Sequence, residues 1–235
     1  MGLLARMVDV LFGGPKVRGA LGDRLAAWQR RPRTDLTLAH ARTRYVVVDV
    51  ETTGLDLRRD SIIAIGAIGV RDGAIALDDG FDAVLRQLHA SADANILFHG
   101  IGGETQLRGR EPALAMLEFA EFAGKAPLVA FRAEFDRTML ERAMRDALGV
   151  RLDLPFIDLA FLLPALFRNT TCDSLDDWIA HFQGDIASRH HALGDAYATA
   201  QLLLVALAAA ESAGMGTAAR LLATQKAQRW LGRRR

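Results

Sequence analysis

Apolar and polar positions divide this 235-residue chain into segments of two different periods. From Tyr45 to Val50 β-branched residues run almost without a break, the pattern of a strand covered on both faces. A second apolar run, Ser61-Ile-Ile-Ala-Ile-Gly-Ala-Ile-Gly-Val70, leads through Arg71-Asp-Gly73 into Ala74 to about Leu85. The Asp-Gly step predicts a tight hairpin, so these two strands pair antiparallel. Helical periodicity then appears at about 111–123, 133–148, 174–182 and 191–212, alternating with short apolar runs at 127–131 and 155–158. Strands and helices in this order predict an α/β fold with a mixed sheet flanked by helices.

The two ends differ from the centre. Gly13, Gly14, Pro15 and Pro32 break the first 42 residues into short helical pieces. Leu3, Leu4, Met7, Val8, Leu11 and Phe12 share one face of an amphipathic helix, and Arg6 and Asp9 interrupt any secretory apolar core. The other greasy stretch, Leu202 to Ala210, is nine residues against the ~20 that a bilayer requires. No transmembrane segment or membrane partner is therefore expected. Ser174-Leu-Asp-Asp177 has the spacing of a helix cap, which gives Asp176 and Asp177 a structural reading. The expected organisation is a basic helical extension at 1–42, a central domain at 43–212 and a basic helical extension at 213–235.

Composition adds a compartment and a charge map. A content of 51% hydrophobic residues suffices for a full core, and the single Cys172 excludes an internal disulfide framework. A reducing, cytoplasmic setting is expected. The net charge of +1 conceals an asymmetry: residues 1–44 carry nine Lys/Arg and three acids, and 213–235 carry six and none. Residues 45–212 are left with fourteen basic and 25 acidic residues, a net of −11. An acidic centre suits metal ions. The basic ends, including Arg30, Arg31, Arg33 and Arg233-Arg-Arg235, either draw in a polyanion or are simply solvated.

The candidate chemistry lies in the acidic centre. Asp49 and Glu51 stand two apart at the end of the first strand, so both side chains leave on one face. Carboxylates held that close raise each other's pKa unless a cation neutralises them. Asp136 follows the 128–131 strand in the first turn of a helix, and His190 stands five residues before Asp195 at the mouth of the Ala/Leu-rich helix. Asp136 and Asp195 would each be favoured by a helix dipole even without a metal. Four acids and one imidazole, however, form a set.

Asp49-x-Glu51-Thr-Thr-Gly, then Phe135-Asp136, then His190-x-Ala-x-x-Asp195 resemble the three motifs of the DEDDh 3'-5' exonucleases. That family includes the epsilon proofreading subunit of bacterial DNA polymerase III, ribonuclease T and oligoribonuclease. The likeness extends over about residues 43–210 and takes in Phe98-His99-Gly100-Ile101, with Gly102 where Thr is common. It implies an RNase H-like five-stranded sheet with the first strand central, making 43–212 the exonuclease domain. It implies two Mg²⁺ ions held by Asp49, Glu51, Asp136 and Asp195, with Mn²⁺ able to substitute. Asp49 would be shared between the ions, Glu51 and Asp195 would complete the nucleophile side, and Asp136 would serve the leaving-group side. His190 would be the general base, in preference to His191.

For substrate, the resemblance points to Thr52, Thr53, Gly54 and Leu55 at the 3' end and to His99 at a sugar or phosphate. Phe131-Arg132 replaces the family's frequent His-Asn pair. Arg132 then either grips a phosphate or pairs with Glu134 or another acid. Phe131 and Phe135 read as core residues, and His40, His89 and His181 receive no role. The expected activity is removal of nucleoside monophosphates from single-stranded or frayed DNA ends, with a DNA polymerase as a candidate partner in proofreading or repair. The alternatives are an RNA-trimming exonuclease of the same fold and a catalytically weak nucleic-acid or polymerase-binding module.

Overall fold

A computed structural model describes residues 16–184 and 190–232. The amphipathic segment 3–12 and Arg233 to Arg235 lie outside the described residues. Five strands, β1 (Tyr45–Thr52), β2 (Ile62–Arg71), β3 (Ala74–Val84), β4 (Leu128–Ala130) and β5 (Phe156–Asp158), form one sheet in the order β3-β2-β1-β4-β5. β1 is central, antiparallel to β2 and parallel to β4. The expected mixed sheet is therefore present. Its hairpin turns through Asp72 and Gly73, with φ of 55° and 74°, the pair of positive angles that a two-residue connection uses.

The helices are α1 (Gly19–Arg30), α2 (Asp93–His99), α3 (Gly103–Leu107), α4 (Pro112–Ala123), α5 (Glu134–Leu148), α6 (Leu159–Leu166), α7 (Leu175–His181), α8 (Ala192–Ser212) and α9 (Ala218–Gly232). Those with two or more turns of clear periodicity, α4, α5 and α8, fall where the pattern places them, as does α7. The α7 cap forms as its spacing predicts: Asp177 N–H donates to the Ser174 hydroxyl, and Ser174 N–H donates to the Asp177 carboxylate. The short helices α2, α3 and α6 were not anticipated. Segments of five to eight residues carry too few periodic positions to distinguish a helix from an apolar loop.

Alternation along β1 separates two cores. Val46, Val48 and Val50 face Leu25 and Trp28 of α1, Met116 and Phe119 of α4, and Met139 and Leu140 of α5. Tyr45 and Val47 face α6, α8 and α9, through residues such as Leu162, Leu203 and Leu221. Phe135 packs against the first core and Phe131 against the second. Asp49 and Glu51 are in phase with Tyr45 and Val47, so they emerge on the α8 face. Among the described residues α8 is the one helix long and apolar enough to cross a bilayer by length and composition. Its core residues, including Ala196, Ala200 and Leu203, are buried against the sheet and its neighbours.

Both ends of the described chain pack on this domain. Trp28 Nε1 donates to Gly124 O at 2.9 Å, Arg24 pairs with Glu121 at 2.6 Å, and Arg31 donates to Glu121 O at 2.9 Å. Arg33 pairs with Asp153. Two of the arginines offered to a polyanion are thus engaged with the domain itself. His40, which the sequence left without a role, is buried between the Tyr45 hydroxyl at 2.6 Å and Met215 O at 2.9 Å. It pins the N-terminal arm to the segment entering α9.

Candidate active site

Asp49 and Glu51 occupy the carboxyl end of the central strand, where the register with β2 shifts between Glu51 and Thr52. Asp49 pairs across the sheet with Gly66. Directly opposed residues share a face, so the missing side chain at Gly66 leaves room on the α8 side. A Cβ there would lie 2.0 Å from Leu193 N and 2.1 Å from Ala192 C. The first turn of α8 therefore rests on bare backbone, and this close approach carries Asp195 to the acids of β1. Gly66→Ala is expected to displace α8, lowering stability by about 1–3 kcal/mol or more and reducing activity with it. A thermal melt and a nuclease assay check this, and an unchanged melting temperature would refute the close approach.

Asp49, Glu51 and Asp195 each offer an oxygen within 4.8 Å of the others, with Glu51 and Asp195 buried and Asp49 half-buried. Carboxylates concentrated in this way repel one another, and hard oxygen donors match a hard divalent cation. The donor set fits such an ion. Asp136 lies outside this group of three. It is buried in the first turn of α5, and burial pushes its carboxyl up to about 7, aided by the charges of Asp158 and Glu51 and opposed by backbone hydrogen bonds at its own residue and Val50. Asp136 is thus in electrostatic reach of Glu51 without joining the triad.

His190 has φ of 59°, and its N–H donates to Asp195 Oδ2 at 3.0 Å. Its ring meets Phe98 of α2, with centroids 4.0 Å apart. Asp195 therefore fixes the backbone of His190 at the mouth of α8, while Phe98 meets its ring. His191 points elsewhere, its Nε2 4.0 Å from Asp82 of β3. The helix that brings Phe98 also bonds the end of β1, because Asn95 Nδ2 donates to Thr52 O at 2.8 Å. Sequence reasoning gave Asn95 no part, since a lone Asn in an unrecognised helix carries no signal.

The turn after Glu51 folds around Asp60. Thr53 Oγ1 donates to its Oδ1 at 2.9 Å, and Asp56 N–H donates to its Oδ2 at 2.8 Å. A Cβ on Gly54 would lie 2.5 Å from that same Oδ2, so a larger residue there would push the Asp60 carboxylate out of place. Thr52 Oγ1 closes on Gly54 O at 2.7 Å, leaving Leu55 projecting and 84% exposed. His99 is only 4% exposed. Its Nδ1 accepts Ile101 N–H at 3.0 Å, which places the proton on Nε2, a donor with no partner among the described residues. Burial, opposed by a hydrogen bond with its own backbone, holds its pKa below the usual imidazole value. Arg132 has φ of 59° and donates through Nη2 to Asp173 O at 3.0 Å. It does not take Glu134, whose carboxylate pairs with Arg137 and Arg229.

Residues 46–203 match the RNase T family, described as exonuclease. The chain belongs to that family. A PolC-type DNA polymerase III of Thermotoga petrophila is 31% identical over 160 residues, 68% of this chain and 12% of the relative. A DNA polymerase III subunit epsilon-like protein of Rhodobacter capsulatus is 33% identical over 179 residues, 74% of this chain and 25% of the relative. The chain thus spans only a minor part of these curated relatives. A solved structure of exonuclease X in complex with 5' overhanging duplex DNA covers 77% of this chain and 99% of its own, at TM-score 0.61 and 20% identity. That likeness establishes the RNase H-like exonuclease fold. The profile match takes in all four acids and His190.

Proposed function

We propose that this chain is a metal-dependent 3'-5' exonuclease acting on single-stranded or frayed DNA, with 43–212 as its exonuclease domain. The observation that carries the reading is the convergence of Asp49, Glu51 and Asp195 within 4.8 Å, with the backbone N–H of His190 bonded to the same Asp195. Asp49, Glu51 and Asp195 would hold one Mg²⁺, with Asp49 reaching toward a second on the side of Asp136. Two such ions supply electrostatic stabilisation on both sides of the phosphorus. The names of the relatives, DNA polymerase III among them, and the duplex DNA in the exonuclease X complex favour DNA over RNA and a polymerase as partner.

The chain's own residues divide the remaining work. His190 takes a proton from the attacking water, its ring kept in place by Phe98 and its backbone by Asp195. The turn at Thr52, Thr53, Gly54 and Leu55 receives the 3'-terminal nucleotide, with exposed Leu55 against the base. His99 spends its unpartnered Nε2–H on a sugar or phosphate oxygen. Arg132, engaged with Asp173 O, would meet a phosphate only with its remaining donors.

Matched DNA and RNA oligonucleotides labelled at the 5' end test this reading. Mg²⁺ or Mn²⁺ should produce ladders shortening from the 3' end, faster on DNA, and EDTA should stop them. Preference for RNA would overturn the substrate choice. Tight binding without hydrolysis of any oligonucleotide would make the chain a recruitment module instead. His190→Ala should slow turnover by ~10²- to 10⁴-fold, and wild-type rates would remove His190 from the base role.

A further inference from the structure

β5 is the outer strand of the sheet, and an unpaired edge needs cover. α9 supplies it with a side chain. Gln225 Oε1 accepts Asp158 N–H at 2.7 Å, and Gln225 Nε2 donates to Phe156 O at 3.2 Å. This amide satisfies the same backbone groups that a sixth strand would. One turn further along α9, Arg229 donates through Nη2 to Asp158 Oδ2 at 3.3 Å and through Nη1 to Glu134 Oε2 at 3.1 Å. Its guanidinium also lies over the Phe161 ring, 5.0 Å from the centroid.

Asp158 is only 1% exposed and joins several elements. Its Oδ1 accepts both Arg132 N–H and Ala160 N–H at 3.0 Å. The first bond fixes the left-handed turn between β4 and α5, and the second caps α6. Glu134 begins α5, two residues before Asp136. Asp158, Arg229 and Glu134 therefore form a continuous brace from the end of β5 across α9 to the turn of α5 that presents Asp136. Asp158 is also one of the charges that repel Asp136, and Arg229 is the cation set against it.

We propose that α9 is a positioning element of the nuclease site, in which Arg229 holds the first turn of α5 so that Asp136 can serve its metal. The inference rests on the metal-dependent reading above, and it changes the role of the C-terminal extension. Arg229 is committed to this domain rather than offered to nucleic acid. Arginine suits the task because its planar fork spans two carboxylates, which a single ammonium does not.

The test compares wild type, R229Q and R229K in the full chain. Mn²⁺ affinity is measured by calorimetric titration without nucleic acid, and kcat and KM are measured on a DNA oligonucleotide. Residues that orient metal ligands typically contribute ~10- to 100-fold to affinity or activity. R229Q should weaken Mn²⁺ binding by about 10-fold or more and lower kcat correspondingly, with KM for the oligonucleotide within about twofold. R229K should fall between. Mn²⁺ binding equal to wild type in R229Q would overturn the brace, as would a raised KM with metal affinity intact, the result for a phosphate contact. If R229Q does not fold, R229K carries the same two readings. A wild-type chain that binds Mn²⁺ but hydrolyses nothing would sink the exonuclease reading, while the titration would still judge the brace.

Discussion

Asp49→Ala should abolish cleavage, by ~10³-fold or more at saturating Mg²⁺, while the fold survives. The loss is large because Asp49 is the acid of the triad proposed to serve both ions, so its removal withdraws several kcal/mol of transition-state stabilisation. The fold survives because the side chain stands half-buried at a strand end and contributes little to either apolar core. Taking one carboxylate from a group packed within 4.8 Å also removes repulsion in the metal-free protein. Hydrolysis of a labelled oligonucleotide and a melt in EDTA measure both effects. Turnover near the wild-type rate would end the metal assignment, whatever the melting temperature.

Asp136→Asn should combine a comparable loss of activity with a gain in stability. Burial, and then the charges of Asp158 and Glu51, push the Asp136 carboxyl up to about 7. Its folded pKa exceeds its unfolded value near about 3.9, so between these values the folded state binds more protons. Stability of the metal-free protein therefore falls as pH rises from about 4 to about 7, by on the order of 2–4 kcal/mol, and the full penalty remains above that range. Asparagine has no charge to bury. Melts in EDTA should accordingly show D136N above wild type at pH 8 and close to it at pH 4.5, with Mg²⁺ reducing the difference by stabilising wild type. A D136N variant less stable than wild type at pH 8 would contradict a costly buried carboxylate.

These two acids show how unevenly the site could be read from the chain. Asp49 and Glu51 are separated by one residue on a strand, so period two alone put them on one face. Asp195 and His190 are also close in sequence, and the start of a helix is enough to join them. Asp136 was identified by motif, yet its separation from the triad depends on how α5 crosses the end of β1. Arg132 could be seen to replace a common amide, but its partner, Asp173 O, lies 41 residues away. Asp158, Gln225 and Arg229 carried no motif, because their bonds span 67 and 71 residues.

By itself the sequence determined the strands, the long helices, the β2–β3 hairpin and the candidate acids. Those properties follow from side-chain periodicity and turn chemistry, which act within a few residues. Tertiary structure alone decided that α8 comes close enough at Gly66 to bring Asp195 to β1, that His190 rests on Phe98, and that His40 and Arg229 tie the flanking segments to the domain. Each of these contacts joins segments far apart in the chain. Packing and burial select such partners only after the sheet has placed them side by side, and no local pattern encodes that choice.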